Sequence, residues 1–171
     1  MQKRHSKVII VVVVFLTITS IMISINSLSS KKEVKARSDY YASFVSSVQT
    51  LDRTLSPTNG AKLDDVSQMF DVYTIIIFVN DRLTQLKENT KSFSELDELV
   101  NDFMIFRHRY ESLVRQQIIS DDVDPEVLLK VVDQIKLFLS VLPKEYENSK
   151  RFSNQLNAAD QHIKPLLDIS I

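Results

Sequence analysis

The side chains best equipped for chemistry crowd one stretch, Phe106-Arg107-His108-Arg109-Tyr110-Glu111, with Arg115 one helical turn further on. Arg107, Arg109 and Arg115 carry guanidinium forks that suit a carboxylate or phosphate, and His108 between two of them would make such a site sensitive to pH near neutrality. A plainer arrangement uses the same residues. Arg107, Glu111 and Arg115 stand four apart, the spacing of ordinary ion pairs along a solvated helix face. The plainer reading is preferred; Arg107, His108, Arg109 and Arg115 stay as the alternative candidate contacts for an anion or ligand, with no catalytic role. Asp121-Asp122-Val123-Asp124-Pro125-Glu126 concentrates carboxylates as a calcium loop does. It lacks the glycine at the sharp turn and the bidentate Glu at the twelfth position. A helix start that favours negative charge explains the run, and no metal is expected.

The remaining histidines, His5 and His162, lie far apart in the chain. No HExxH or GxSxG motif is present, and a single glycine cannot build a phosphate-cradling loop or a dinucleotide fingerprint. Cysteine is absent, which removes thiolate nucleophiles, disulfides and Cys-based zinc sites. The expectation is a protein that is not an enzyme and carries no cofactor.

The elements that must position these residues begin with an anchor. Val8 to Ile25 contains no charged side chain and follows the basic tail Lys3-Arg4-His5-Ser6-Lys7. At ~1.5 Å per residue the run spans about 27 Å, enough to cross a bilayer if it continues to Leu28. Lipid offers no partner to a peptide group, so this segment must be helical despite its β-branched composition. It is longer than a signal-peptide core, and Ser27-x-Ser29 is a poor cleavage site, so the anchor is expected to be retained. Lys31, Lys32, Lys35 and Arg37 behind the span nearly balance the basic residues before it. Orientation therefore rests on the shortness of the tail: residues 1–7 are expected in the cytoplasm and residues 29–171 outside it.

All 22 acidic residues follow the span and three of the 21 basic ones precede it, leaving the domain four units negative. Nothing in that balance calls for nucleic acid. One Gly and four Pro in the whole chain exclude a many-turned β-fold. The apolar residues recur at three and four. Val34, Tyr41, Phe44, Val48, Leu51 and Leu55 form the first seam, with Arg37 in its gap, and Ser56-Pro57-Thr58-Asn59-Gly60 ends it. Helix two, about residues 63–88, is assigned the seam Leu63, Val66, Phe70, Tyr73, Ile77, Leu83 and Leu86, with Asn80 falling on it. Residues 73–79 are rich in β-formers, yet no second strand exists to pair with them, so they are kept helical. Ile75, Ile76, Phe78 and Val79, apolar on every side, are a candidate partner surface or the most buried part of the domain.

Helix three starts at a capping box with Ser92 as cap and Glu95 reaching back. Its face is Leu96, Leu99, Phe103, Phe106, Tyr110 and Leu113. Asp124 caps helix four, with Pro125 in the first turn where its missing N–H costs nothing. Leu128, Val131, Ile135, Phe138 and Leu142 form the fourth seam, which Pro143 kinks or breaks and which resumes through Phe152, Leu156 and Ile163. The expected fold class is all-α: an N-terminal transmembrane helix over residues 8–28, then an antiparallel four-helix bundle whose fourth helix is kinked at Pro143. In that arrangement the C-terminus returns towards the membrane.

This layout of anchor and long helices resembles the extracytoplasmic ligand-binding domains of chemoreceptors and sensor kinases, in architecture and without a shared motif. That resemblance implies a small-ligand sensing module signalling through a partner. The first reading is a single-pass, non-catalytic interaction or accessory module in the cell envelope. Its partners are the lipid bilayer and a protein in the membrane or envelope, a second copy of the chain included. A spanin-like lysis linker would need an unbroken coiled coil, which Pro57, Asn59-Gly60 and Pro125 interrupt.

Overall fold

The computed structural model describes residues 32–56, 62–90 and 93–169. The predicted span over residues 8–28 lies outside them, as does Ser92. No described helix is long and apolar enough to cross a membrane. The chain divides into two compact units, Met1–Ala36 and Arg37–Ile171. Residues 32–36, the described part of the first, are helical and exposed.

The second unit is all-helical among the described residues. It contains α1 (37–54), α2 (Val66–Asn89), α3 (Glu95–Ser120), α4 (Pro125–Val141), α5 (Lys150–Asp160) and a 3-10 turn at Lys164–Leu166. Residues 73–79 are helical, as expected. The starts follow local chemistry. Asp65 accepts from the N–H groups of Ser67 and Gln68, and Asp124 from Glu126 at 2.9 Å with Pro125 inside the first turn. Ser149 caps α5 through the N–H of Phe152 at 3.2 Å. Each such bond satisfies one of the donors a helix start leaves open. Replacing Asp124 by alanine is expected to cost about 1 kcal/mol, lowering the melting temperature by roughly 2–4 °C in thermal unfolding. The third start differs from expectation: Ser94 occupies the cap position without a side-chain bond to the helix's backbone N–H groups. Glu95 accepts from the hydroxyl of Ser153, which with its own backbone N–H holds its carboxyl below the usual range.

Helices that follow one another in the chain run in opposite directions. The side-chain amide of Gln68, at the start of α2, donates to the carbonyl of Thr54 at the end of α1. Tyr73 bonds Glu111, and Lys87 pairs with Asp97 at 2.7 Å, so residues climbing α2 meet residues descending α3. Phe138 of α4 lies edge-on to Phe44 of α1 (centroids 6.4 Å) and Phe103 of α3 (5.3 Å). The seams expected for α1 from Tyr41 onward, and for α3 and α4, are all buried in this core. Val34, placed on the first seam, is exposed.

Two expectations need correction. The buried face of α2 is Met69, Val72, Ile76, Val79, Leu83 and Leu86, one position away from the assigned seam over its first half. Val66, Phe70 and Ile77 face outward, Tyr73 is half-buried, and Asn80 lies off the seam. The observed face keeps an unbroken apolar three-four spacing into Leu83 and Leu86, whereas the assigned one had to pass through the polar Asn80 between Ile77 and Leu83.

The fourth helix is also not kinked at Pro143. It ends at Val141, its cap Leu142 is extended, and the chain reverses before α5. Pro143 is buried, and its carbonyl accepts from the Tyr41 hydroxyl at 2.6 Å. Tyr41, Phe93 and Tyr146 surround Phe152 at 5.0–5.5 Å between ring centroids and hold the returning chain. From there α5 runs parallel to α3. Ser153 meets Glu95, Asp160 lies beside Asp102, and the carbonyl of Leu167 accepts from Arg109 at 3.0 Å, all at a constant offset of 58 residues. A constant offset is the mark of parallel helices, because both advance by the same rise. The C-terminal stretch thus runs away from the Tyr41 end of the bundle, and Leu166 and Ile169 are buried.

Candidate interaction surface

The four residues proposed for a partner surface divide by helix geometry. Ile76 and Val79 sit three apart on the core face of α2 and are 0% exposed, so they cannot meet a partner. Ile75 is half-buried and Phe78 is 52% exposed. These two line a surface groove of about 310 Å³ with Arg82, opposite Ser43, Ser46, Ser47 and Thr50 of α1. Small residues on α1 keep that wall low, while the Phe78 ring and the Arg82 guanidinium form the other.

The outer side of α2 adds to this surface. Phe70, 57% exposed, and Ile77 lie seven residues apart, and Phe78 follows, so all three share the face turned from the core. The Phe70 ring sits 6.4 Å from that of Tyr73. Sequence reasoning placed Phe70, Val66 and Ile77 in the core and so missed them as surface. The signal that finds them is the unbroken spacing back from Leu86.

The anion-site candidates also separate. Glu111 of α3 accepts two bonds from Arg115, at 2.6 and 3.1 Å, and lies 3.7 Å from His108. The Arg115 bonds hold the Glu111 carboxyl below its ordinary range. Tyr73, reaching over from α2, bonds the same carboxylate, and burial and then the Glu111 charge push its hydroxyl upward. Arg107 stands 3.4 Å from the His108 ring, and its Nε has no hydrogen-bond partner. Arg109 points elsewhere, to the carbonyl of Leu167. The Glu111–Arg115 pair expected from spacing therefore forms, while Arg107 turns to His108. His108 and Arg115 gather around one carboxylate that already occupies an anion's place, Arg107 lies against His108, and Arg109 fastens the C-terminal segment.

Compared with known protein families, with curated proteins and with solved structures, the chain matches none.

Proposed function

We propose that this chain is a single-pass membrane protein whose helical bundle acts as a non-catalytic interaction or accessory module in the cell envelope. The uncharged run Val8 to Ile25 supports the anchor, and the short basic tail before it supports a bundle outside the cytoplasm. The observation that carries the interaction reading is the outer face of α2. Its core side is complete, yet Phe70, Ile77 and Phe78 remain exposed, beside a groove lined by Ile75 and Arg82. Large apolar side chains grouped on one helix face are costly to leave in water and mark contact surfaces. The partner is a protein of the membrane or envelope, a second copy of this chain among the candidates.

Photo-crosslinking in intact membranes tests this reading. A photoreactive residue at position 70 or 78 is expected to give one dominant adduct, and one at the exposed Glu88 none. Equal labelling at all three positions, or none at 70 and 78, would refute the interaction surface. Protease access to the bundle in intact and permeabilised cells tests the compartment separately. Digestion only after permeabilisation of the inner membrane would overturn the proposed orientation.

A further inference from the structure

Asp160 is the least comfortable charge in the bundle. It is the last residue of α5 and only 2% exposed, and neither carboxylate oxygen accepts a hydrogen bond. A helix C-terminus carries partial negative charge, so a carboxylate there is repelled by its own helix. A second buried carboxylate, Asp102, lies beside it, 5% exposed, brought there by the parallel packing of α5 on α3. Glu98, one turn before Asp102 on the same face of α3, completes a group whose ligand oxygens all lie within 4.8 Å of one another. One ammonium attends them. Lys164 pairs with Glu98 at 2.7 Å but stands 3.4 Å from Asp160, beyond the ~2.7–2.9 Å of a charge-assisted bond. Three carboxylates and one lysine leave the cluster two units negative if all are ionised, and burial makes that costly.

We propose that Glu98, Asp102 and Asp160 bind a divalent cation of the hard, oxygen-seeking class, with calcium the best fit. Three carboxylates converging from two helices form the donor set such ions take, with no nitrogen or sulfur ligand. Oxygens within 4.8 Å of one another leave room for calcium, whose flexible coordination asks less of their placement than the octahedron magnesium demands. Asp160, without a donor to either oxygen, supplies the observation that a cluster of acids alone would lack. Glu98 is largely exposed and gives the ion a way in from solvent. Lys164 is partly exposed and able to swing out, so its ammonium holds the place a cation would take. Bound there, the ion would tie the end of α5 to the first third of α3 and add stability without altering the surface of α2.

The test uses the full chain in detergent, stripped with a chelator and then melted with calcium, magnesium or manganese chloride. Millimolar calcium is expected to raise the melting temperature by about 5 °C, a rise that the chelator reverses. Asp160→Asn and Asp102→Asn should each abolish the calcium response. Lys164→Gln should lower the calcium concentration at half effect several-fold, because it removes the competing ammonium. Should either buried variant fail to fold, Glu98→Gln, at an exposed position, is expected to raise that midpoint about tenfold. An unchanged melting temperature with all three ions overturns the site. So does a calcium rise that survives Asp160→Asn, or a Glu98→Gln midpoint equal to that of the unaltered chain.

Discussion

Phe138→Ala is expected to cost about 3–5 kcal/mol of folding stability, as removal of a fully buried phenylalanine does. Phe138 is 0% exposed, and its ring lies against Phe44 of α1 and Phe103 of α3. One substitution therefore opens a cavity where three helices meet. These helices approach from separate stretches of chain, so the neighbours cannot collapse into the gap without moving a backbone. At roughly 2–4 °C per kcal/mol for a chain of this size, the melting temperature should fall by about 10 °C or more. Leu137→Ala is the control. Leu137 is the next residue along but is exposed, and its loss should stay within about 0.5 kcal/mol. Thermal unfolding of both variants in one detergent decides the matter. Equal small shifts would mean that α4 is not seated where the ring contacts place it.

The second large effect concerns Asp160 and has the opposite sign. Its carboxyl is pushed up from 3.8 to about 6, first by burial and then by the charge of Asp102, with Glu98 adding to the shift and Lys164 opposing it. The folded chain thus binds this proton more tightly than the unfolded chain. The associated stability is fully present below 3.8 and is lost as pH rises through about 6. Near neutrality the ionised group burdens the fold by an amount on the order of 1–3 kcal/mol. In chelator at neutral pH, Asp160→Asn should therefore melt higher than the unaltered chain. That advantage should shrink as pH is lowered through 6 and vanish near 4, which urea titrations at several pH values would follow. A variant less stable than the parent at neutral pH, or a gap indifferent to pH, would contradict the burial argument.

Helices three and four were legible because nothing competed with their pattern. Leu96 to Leu113 and Leu128 to Leu142 each carry apolar residues on one face and charge on the other, which leaves one way to turn inward. The second helix was ambiguous for a physical reason. Residues 75–79 are apolar in every direction, so burial energy alone does not choose between registers one residue apart. Leu83 and Leu86 further along make that choice. Pro143 posed a different difficulty. Losing one backbone bond is compatible with either a bend or a stop, and local sequence does not separate them. The outcome depends on Phe152 finding Tyr41 and Phe93, which are distant in the chain, beside the nearby Tyr146.

The surface and the acidic group show the same limit. Arg115 and Glu111 were readable as a pair from their spacing of four, but the partner of Arg109 lies 58 residues away. Glu98 and Asp102 stand on one helix face at the same spacing of four, while Asp160 joins them only through the parallel return of α5. Reading carboxylates along the chain does not reveal such a grouping. Long-range packing gathers them in space.

The parallel return of α5 has a consequence for how the protein is made. Phe152, Leu156, Ile163 and Leu166 are buried in the core with α3 and α4, and they are made only after α1 to α4. A nascent chain must therefore leave that side of α3 and α4 uncovered until α5 has been made, a state prone to sticking. A premature stop codon just after Val141 would spare most of the residues and all four preceding helices, yet its product should behave as a chaperone client rather than a shortened working protein.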